Sequence, residues 1–480
     1  MAVTIDTFIK HSCLRHSDNA ALRFKTQGVW TDMSYGALWT LSDRIAAGLI
    51  KNGFKPADHA AIIAASSPNW VATYLGILKA GGVVVPIDKE LKQGELRHIL
   101  ADCDATMVFT EQAYLDVLLE VIDEIPAISH CVLLNEPSAA QSGEEIATTI
   151  NRLQEEFALL CNDQKIHLEN GTTIEGLIAR LQRLSGTLNP QKPSRKVLNP
   201  YASIETLRER FITSGKLLNY SDFCHEAPIP CNPRLPSDTA VILYTSGTTG
   251  RSKGAMLSHD NIVSNIQTAV KHFNLTDAIS TLSFLPINHV FEQVCGVLLP
   301  LSLGGTVTFC ESLKKLGDNL AEVKPNFFLA VPAVYRLLLD RIMKSIGAKK
   351  LSTVLFNFSM TRPIVTAKIK QAFGSGTIFV SGGAALDPAI VHGMNRLGLM
   401  IYQGYGITET SPIISAEQPG LRLAGTVGKV MEGIQVTIDV PNNDGVGEIL
   451  VKGHNVMQGY YKNPTATAEV LHDGWYRTGD

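Results

Sequence analysis

Apolar positions alternate along this chain between strand-like and helix-like spacing. Residues 18 to 50 (DNAALRFKTQGVWTDMSYGALWT and onward) hold two short runs of alternating polarity around a Gln27-Gly28 turn. A helical pattern follows, with apolar positions at Leu41, Ile45, Leu49 and Ile50. HAAIIAAS, NWVATYLGILKAGG, VVVPID and ELRHILADCDATMVFT then read strand, helix, strand, helix-strand. That order predicts a parallel sheet with helices on both faces, and Ala80-Gly81-Gly82 closes the second helix. The rhythm returns between 303 and 382 with TVTFC, NFFLAV, an amphipathic helix around Val334 to Met343, and TIFVSGGAAL. From Ala424 it changes to short strands between Gly-rich turns, the pattern of a small distorted β-barrel. The fold class expected is α/β: two mostly parallel sheets with flanking helices in a layered arrangement, plus that barrel.

Residues 136 to 216 break the rhythm with helical patterns at Glu144 to Cys161, Thr173 to Leu184 and Ser203 to Thr213 and a loop, NPQKPSRKVLNP. They read as a helical insertion that packs on the surface or forms a subunit contact, with a regulatory or lid role as the alternative. The expected division is a first α/β subdomain over 1–235, a second over 236–420 that carries a nucleotide site, and the barrel over 421–480.

Composition narrows the classes. A chain of 480 residues that is 45% hydrophobic can bury several cores, and its formal net charge of −3 gives no basic face for nucleic acid. The eight cysteines show no C-x-x-C spacing, which argues against a zinc site and fits reduced thiols in a cytoplasmic protein. The longest apolar stretch, Val294 to Phe309, is interrupted by three glycines and reads as a buried helix and strand. Contact with a membrane surface stays open, without a patch visible in the sequence.

The chemistry concentrates in residues 240 to 260, AVILYTSGTTGRSKGAMLSHD. The run Ala240 to Leu243 reads as a buried strand that empties into small residues. Thr245, Ser246, Thr248 and Thr249 supply hydroxyls, Gly247, Gly250 and Gly254 allow close backbone approach, and Lys253 adds a point charge. Such donors suit a polyphosphate. The bland reading is a flexible linker, but linkers seldom follow a buried strand without polar padding. A Walker A loop is excluded by spacing, since Gly254 follows Lys253.

Two further blocks read as nucleotide chemistry. Ser381-Gly382-Gly383-Ala384-Ala385 ends a strand, where glycines let a flat ring lie against backbone; a plain strand-to-helix turn is the alternative. In Gln403-Gly404-Tyr405-Gly406 and the Thr408-Glu409 pair that follows, Tyr405 can stack on adenine, Thr408 can donate to a phosphate, and Glu409 can bind Mg²⁺. A Thr-Glu pair alone would more often be a helix start.

The loop Y-T-S-G-T-T-G-R-S-K-G resembles the signature of the adenylate-forming superfamily, which includes acyl-CoA synthetases, luciferase and peptide-synthetase adenylation domains. Ser252 stands where that family usually has Pro. The resemblance extends to GILKAGGVVVPIDKEL, the Gly383 and Ala384 turn as adenine shelf, GYGITET, and the closing Thr478-Gly479-Asp480. It implies that the loop holds the β- and γ-phosphates of ATP, Thr408 the α-phosphate, Glu409 the metal, and Asp480 the ribose. L-P-I-N-H-V-F-E resembles the form common in long-chain acyl-CoA synthetases, which would place His289 near the acyl carboxylate; otherwise it is a hydrogen-bonded core histidine. The Asp that amino-acid-activating domains carry soon after is missing between Val290 and Ser302.

The implied function is ATP-dependent activation of a carboxylic acid, a medium- or long-chain fatty acid, to an acyl adenylate and then to acyl-CoA. ATP, Mg²⁺ and coenzyme A are the implied cofactors and co-substrates, and the resemblance leaves room for a homodimer and peripheral membrane contact. A hinge and a C-terminal domain bearing the adenylation lysine follow Thr-Gly-Asp in the family, so this chain is expected to be the large N-terminal part, with little overall activity alone. The alternatives are a fatty acyl-AMP ligase, disfavoured because no extra segment separates Pro412 from Gly425, and a non-catalytic nucleotide-binding or scaffold protein.

Overall fold

The computed structural model describes residues 3–134, 200–227, 234–246, 251–276, 279–374 and 376–480. The helical patterns expected at Glu144 to Cys161 and Thr173 to Leu184 lie outside them; the third is the helix Pro200–Thr213.

Two large sheets organise the molecule. In an eight-stranded sheet, His59–Ile63 pairs in parallel with Val83–Pro86 and Ala105–Thr110, and the order runs from the edge strand Gly459–Tyr460 to Leu217–Asn219. In a nine-stranded sheet, Ser280–Ser283, Thr306–Phe309, Phe327–Ala330, Ile378–Ser381 and Ile401–Gly406 form a parallel centre. Period-two alternation decides which side chain meets which layer. Ala60, Ile62 and Val84 join the core between the sheets, while Ala61, Ile63, Val83 and Val85 join a second core beneath the helices Gln93–Asp102 and Leu115–Ile122. Phe327 and Leu329 likewise face the shared core, and Phe328 and Ala330 face a third beneath the helix Pro332–Gly347. Burial on both faces explains why these strands read as unbroken apolar runs.

Strand pairing crosses the sequence boundaries expected at 235 and 420. The hairpin Ala20–Thr26 and Val29–Ser34 extends the nine-stranded sheet through Thr306–Phe309, while Thr239–Ser246 and Ser252–Ser258 belong to the eight-stranded one. The segment expected as a distorted barrel is instead an open antiparallel sheet of four strands, ordered Gln435–Asp439, Glu448–Lys452, Trp475–Arg477, Leu471–His472. Its outer strands each pair on one side only, so nothing closes it.

Among the described residues no helix is long and apolar enough to cross a membrane.

Candidate active site

A cavity of about 830 Å³ opens where the three sheets meet. The carboxyl ends of three parallel strands of the nine-stranded sheet contribute Val331, Ser381 to Gly383 and Gly404 to Gly406. Open α/β sheets bind ligands at this edge. The eight-stranded sheet adds Thr245 and Lys253, and the small sheet adds Glu448 and Tyr476 to Asp480.

Thr245 and Lys253 come from an antiparallel hairpin, in which they are directly paired. Gly254 next to them is bare for packing reasons, since a Cβ there would sit 2.7 Å from Ile242 Cγ2 and 3.1 Å from the Tyr244 ring. The helix His259–His272 follows, capped by reciprocal bonds in which the Ser258 hydroxyl accepts from Asn261 N and Asn261 Oδ1 accepts from Ser258 N.

A short distant segment then completes the hairpin. Gly459–Tyr460 adds an edge strand to Ser252–Ser258, which brings the Tyr460 ring under Lys253, whose Nζ lies 5.3 Å from the ring centre. Tyr460 donates its hydroxyl to Glu409 Oε1 at 2.9 Å. Burial, then the Glu409 charge, pushes the Tyr460 phenol up to about 12, so it remains a neutral donor. One tyrosine therefore links the cation of the hairpin to the carboxylate of the Thr-Glu turn.

That turn is fixed by buried amides. Thr408–Thr410 is a single 3₁₀ turn, and Thr410 Oγ1 donates to Pro412 O at 2.9 Å. Asn265 and Asn455 each donate through Nδ2 to Ile413 O, and Asn455 also reaches Thr410 O at 3.1 Å. Glu409 is 8% exposed yet lines the cavity. Gly406 is required by the protein itself, because a Cβ would come within 1.8 Å of Pro412 O. Gly404 is not: its nearest neighbours would be 3.5 Å away, so the space it leaves is open to a ligand.

Tyr405 donates to Asp480 Oδ2 at 2.7 Å, and burial followed by that hydrogen bond holds its phenol well above the usual range. The Asp480 backbone is tied to the small sheet, its O accepting from Ile449 N at 3.0 Å.

Away from these groups the lining turns apolar, with Phe273, Cys295, Leu299, Phe327, Leu329 and Val380. Part of this wall, through Glu292 and Cys295, is a π-helical segment, Glu292–Leu298, a widened turn of the kind that accumulates at functional sites. It carries Glu292, whose carboxyl folds over Gly296; a Cβ on Gly296 would meet Glu292 Oε2 at 2.7 Å. Glu292 is 2% exposed and its Oε1 has no hydrogen-bond partner among the described residues. Burial pushes its carboxyl up to about 7, against the Ser283 hydroxyl, which favours the charged form. Cys295 beside it is also raised by burial, which makes it an inert thiol.

The structure thus gathers Thr245, Lys253, His289, Gly383, Gly404, Tyr405, Gly406, Thr408, Glu409 and Asp480 around one cavity. His289 is exposed at its lining, not a hydrogen-bonded core residue. Ala384 is exposed and outside the lining. Ser246 ends its strand, and Gly247, Thr248, Thr249 and Gly250 lie outside the described residues. Sequence reasoning missed Tyr460, Asn265, Asn455 and the buried character of Glu292. Only the tyrosine had a local signal, in the aromatic pair of MQGYYKNP.

Two mostly parallel sheets with a cavity at their carboxyl edge, a Gly/Thr/Lys hairpin and a buried carboxylate held by a phenol are the arrangement of a nucleotide-binding α/β protein. The AMP-binding enzyme family model matches residues 9–461, and the chain belongs to that family. It is 26% identical over 501 residues to the long-chain-fatty-acid–CoA ligase ACSBG1 of Homo sapiens, covering 97% of this chain and 60% of that protein. It is 28% identical over 483 residues to long-chain-fatty-acid–CoA ligase 1 of Homo sapiens, covering 93% of this chain and 60% of that one. The chain therefore spans about 60% of the length of these curated relatives. The crystal structure of the anthranilate CoA ligase AuaEII in complex with anthranoyl-AMP shares the fold, with a TM-score of 0.69 at 18% identity over 100% of this chain and 75% of that one.

Proposed function

We propose that this chain binds ATP and a fatty acid in this cavity and serves the activation of the acid to an acyl adenylate, which the complete enzyme passes to coenzyme A as a thioester. The observation that carries the reading is the continuity of the cavity, lined at one part by Lys253, Thr408, Glu409 and Asp480 and at another by Phe273, Leu299, Phe327 and Leu329. An amphiphilic acid and a nucleotide that meet head to head need such a pairing of surfaces.

In this reading Thr245, Ser246, Thr248, Thr249 and Lys253 hold the β- and γ-phosphates, and Thr408 donates to the α-phosphate. Tyr405 lies along adenine against the Gly383 and Gly404 backbone, and Asp480 accepts from the ribose hydroxyls. His289, at the lining, lies beside the acyl carboxylate. The acid oxygen attacks the α-phosphorus, the bond to the pyrophosphate oxygen breaks, and pyrophosphate leaves. The protein's part is positioning and charge neutralisation, since no proton has to be moved at the attacking carboxylate.

Among the described residues no group of three or more His, Cys, Asp or Glu forms a metal cage. A single carboxylate fits Mg²⁺, which takes one or two protein carboxylates with phosphate oxygens and water. Glu409 would hold it, with its Oε1 accepting from the Tyr460 hydroxyl. Bound there, Mg²⁺ supplies neutralisation of phosphate charge.

Calorimetry of this chain with acyl-sulfamoyl-adenosine analogues of short to long acyl chains tests the reading. Affinity should rise with chain length by about 0.8 kcal/mol per buried methylene until the apolar part is full. Affinity independent of the acyl group, or best with an aryl or amino acid, would overturn the fatty-acid assignment.

A further inference from the structure

We propose that Glu292 forms a polar subsite in the apolar wall of the cavity, one that takes a hydroxyl group carried near the carboxyl end of the acyl chain. This deepens the fatty-acid reading and rests on it. Three glutamates are buried among the described residues, Glu292, Glu409 and Glu417, and two of them are held by hydrogen bonds. Glu417 accepts from Leu423 N through Oε1 and from Gln403 N through Oε2, both at 2.9 Å. Glu409 accepts from the Tyr460 hydroxyl. Glu292 differs: its Oε1 has no hydrogen-bond partner among the described residues, although the residue is 2% exposed. Leaving a buried acceptor unpaired is costly, and native proteins seldom do so without a use for it. The side chain lines the cavity, so a ligand can supply the missing partner.

The wall is shaped to hold this carboxyl. Gly296, one turn on, is bare where the carboxyl folds over it; a Cβ there would meet the carboxyl carbon at 2.7 Å. Thr281 Oγ1 donates to Gly296 O at 3.1 Å, which fastens the π-helical segment to the strand Ser280–Ser283. At the end of that strand the Ser283 hydroxyl stands near enough to favour the charged carboxylate, yet its Oγ makes no well-formed hydrogen bond among the described residues. Packing alone would ask only for an apolar side chain at this position, as at Leu299.

The chemistry of the group selects its guest. Burial raises the Glu292 carboxyl to about 7, and in its protonated form it offers a donor and an acceptor together. A hydroxyl answers both at one atom. A ligand ammonium would have to be buried in this wall as an ion pair. A second ligand carboxylate would meet no cation here: the Lys and Arg of the lining, Lys253 and Arg477, stand with Tyr460 and with Asp439 and Glu448.

Spacing places the hydroxyl along the acyl chain. His289, Glu292, Cys295 and Leu299 all line the cavity, at intervals of three, three and four residues, as one helical stripe. With the acyl carboxylate beside His289, Glu292 comes next, about 4.5 Å on at 1.5 Å per residue. Cys295 and Leu299 then continue the wall without a charged group. The hydroxyl therefore belongs on the early carbons, and the tail is unsubstituted.

Calorimetry of the 480-residue chain in mildly acidic buffer tests the subsite, with the sulfamoyl-adenosine analogues of decanoic, β-hydroxydecanoic and ω-hydroxydecanoic acid as ligands. The β-hydroxy analogue should bind on the order of tenfold tighter than the plain one, and the ω-hydroxy analogue no tighter. Glu292→Gln, whose amide also donates and accepts, should keep that preference. Glu292→Leu should reverse it, gaining affinity for the plain chain and losing it for the β-hydroxy chain. Each preference is a ratio measured on one protein, so a less stable variant lowers both affinities alike. If no analogue binds, the fatty-acid reading fails and the subsite with it. If the plain chain binds and the β-hydroxyl gains nothing, or the ω-hydroxyl gains as much, the subsite is overturned while the fatty-acid reading stands. A preference that survives in Glu292→Leu, or that Glu292→Gln loses as fully, overturns it too: the first would place the hydroxyl elsewhere, and the second would show that charge sets the preference.

Discussion

At the polar part of the cavity, functional side chains are held by segments far away in sequence; at the apolar part, the walls are neighbouring strands and one π-helical segment. Glu409 receives its hydrogen bond from Tyr460 and its turn is clamped by Asn265 and Asn455, while Tyr405 is fixed by Asp480. Glu292, by contrast, sits in the apolar wall with one oxygen unpartnered among the described residues. Both are buried carboxyl groups, yet one is held by a phenol beside a cation and the other is pushed toward its neutral form. The difference lies in what surrounds each group. A charge that must be presented to a ligand is braced with donors; a carboxyl among apolar atoms keeps its proton instead.

The largest expected effect comes from removing the braced charge. Glu409→Gln keeps the shape and the Tyr460 contact but removes the charge a metal needs. ATP–pyrophosphate exchange in the complete enzyme should fall on the order of 10² to 10³, the scale for losing one preorganised electrostatic group. Mg²⁺ should no longer strengthen ATP binding to this chain. Unchanged exchange would erase the functional contrast between the two glutamates.

The apolar side of the contrast is read by pH. Glu292 has a folded pKa of about 7 against an ordinary value of 4.5. Between those values the folded state holds a proton that the unfolded state has released, so stability declines as pH rises through the window. It is unaffected below pH 4.5 and the loss is complete above about 7. At about 1.4 kcal/mol per pH unit the change is on the order of 3 kcal/mol. Glu292→Gln removes the titration, so urea melts at pH 5 and pH 8, round values on either side of most of that window, should differ less in the variant than in the parent. Identical pH slopes would show that Glu292 ionises as a solvated acid.

How much of this contrast could be read in advance follows from how local each feature is. The parallel strands and their flanking helices were legible because burial on both faces leaves continuous apolar runs such as VVVPID and NFFLAV. The strand Ser252–Ser258 was not, because Lys253 and Gly254 at its start read as loop, and its strand character comes from pairing with Thr239–Ser246. The expected barrel failed for a related reason. Strands of two to five residues specify turns, while closure depends on pairing that no local pattern records. The loop stood out as chemistry on its own, and the Thr-Glu pair and the Thr-Gly-Asp end did so through the family resemblance, whereas Asn455 looks like any loop asparagine until Thr410 is beside it.

Asn455 gives the next smaller effect. It is fully buried and donates to the Thr410 and Ile413 carbonyls. Asn455→Ala should cost about 1 to 2 kcal/mol of unfolding free energy, below the full desolvation penalty because Asn265 still reaches Ile413 O. Combining it with Asn265→Ala should exceed the sum of the single losses, since the second substitution leaves the carbonyl with neither donor. Additive losses in denaturant melts would mean that the turn is held by its own 3₁₀ geometry.

The smallest effect isolates a single oxygen atom. Tyr460→Phe deletes the donor to Glu409 Oε1 and keeps the ring beneath Lys253. Because the phenol is neutral up to about pH 12, the lost interaction is a hydrogen bond and not a charge. A net value of about 0.5 to 1.5 kcal/mol corresponds to a two- to tenfold loss in Mg·ATP affinity, measured by calorimetry on this chain. Tyr460→Leu removes the ring as well and should lose more, through Lys253. If Phe and Leu lose equally, the ring contributes nothing and the brace is the hydroxyl alone; if Phe loses nothing, Glu409 is positioned by the Asn265 and Asn455 clamp without Tyr460, and the polar part of the cavity has one brace fewer than its geometry suggests.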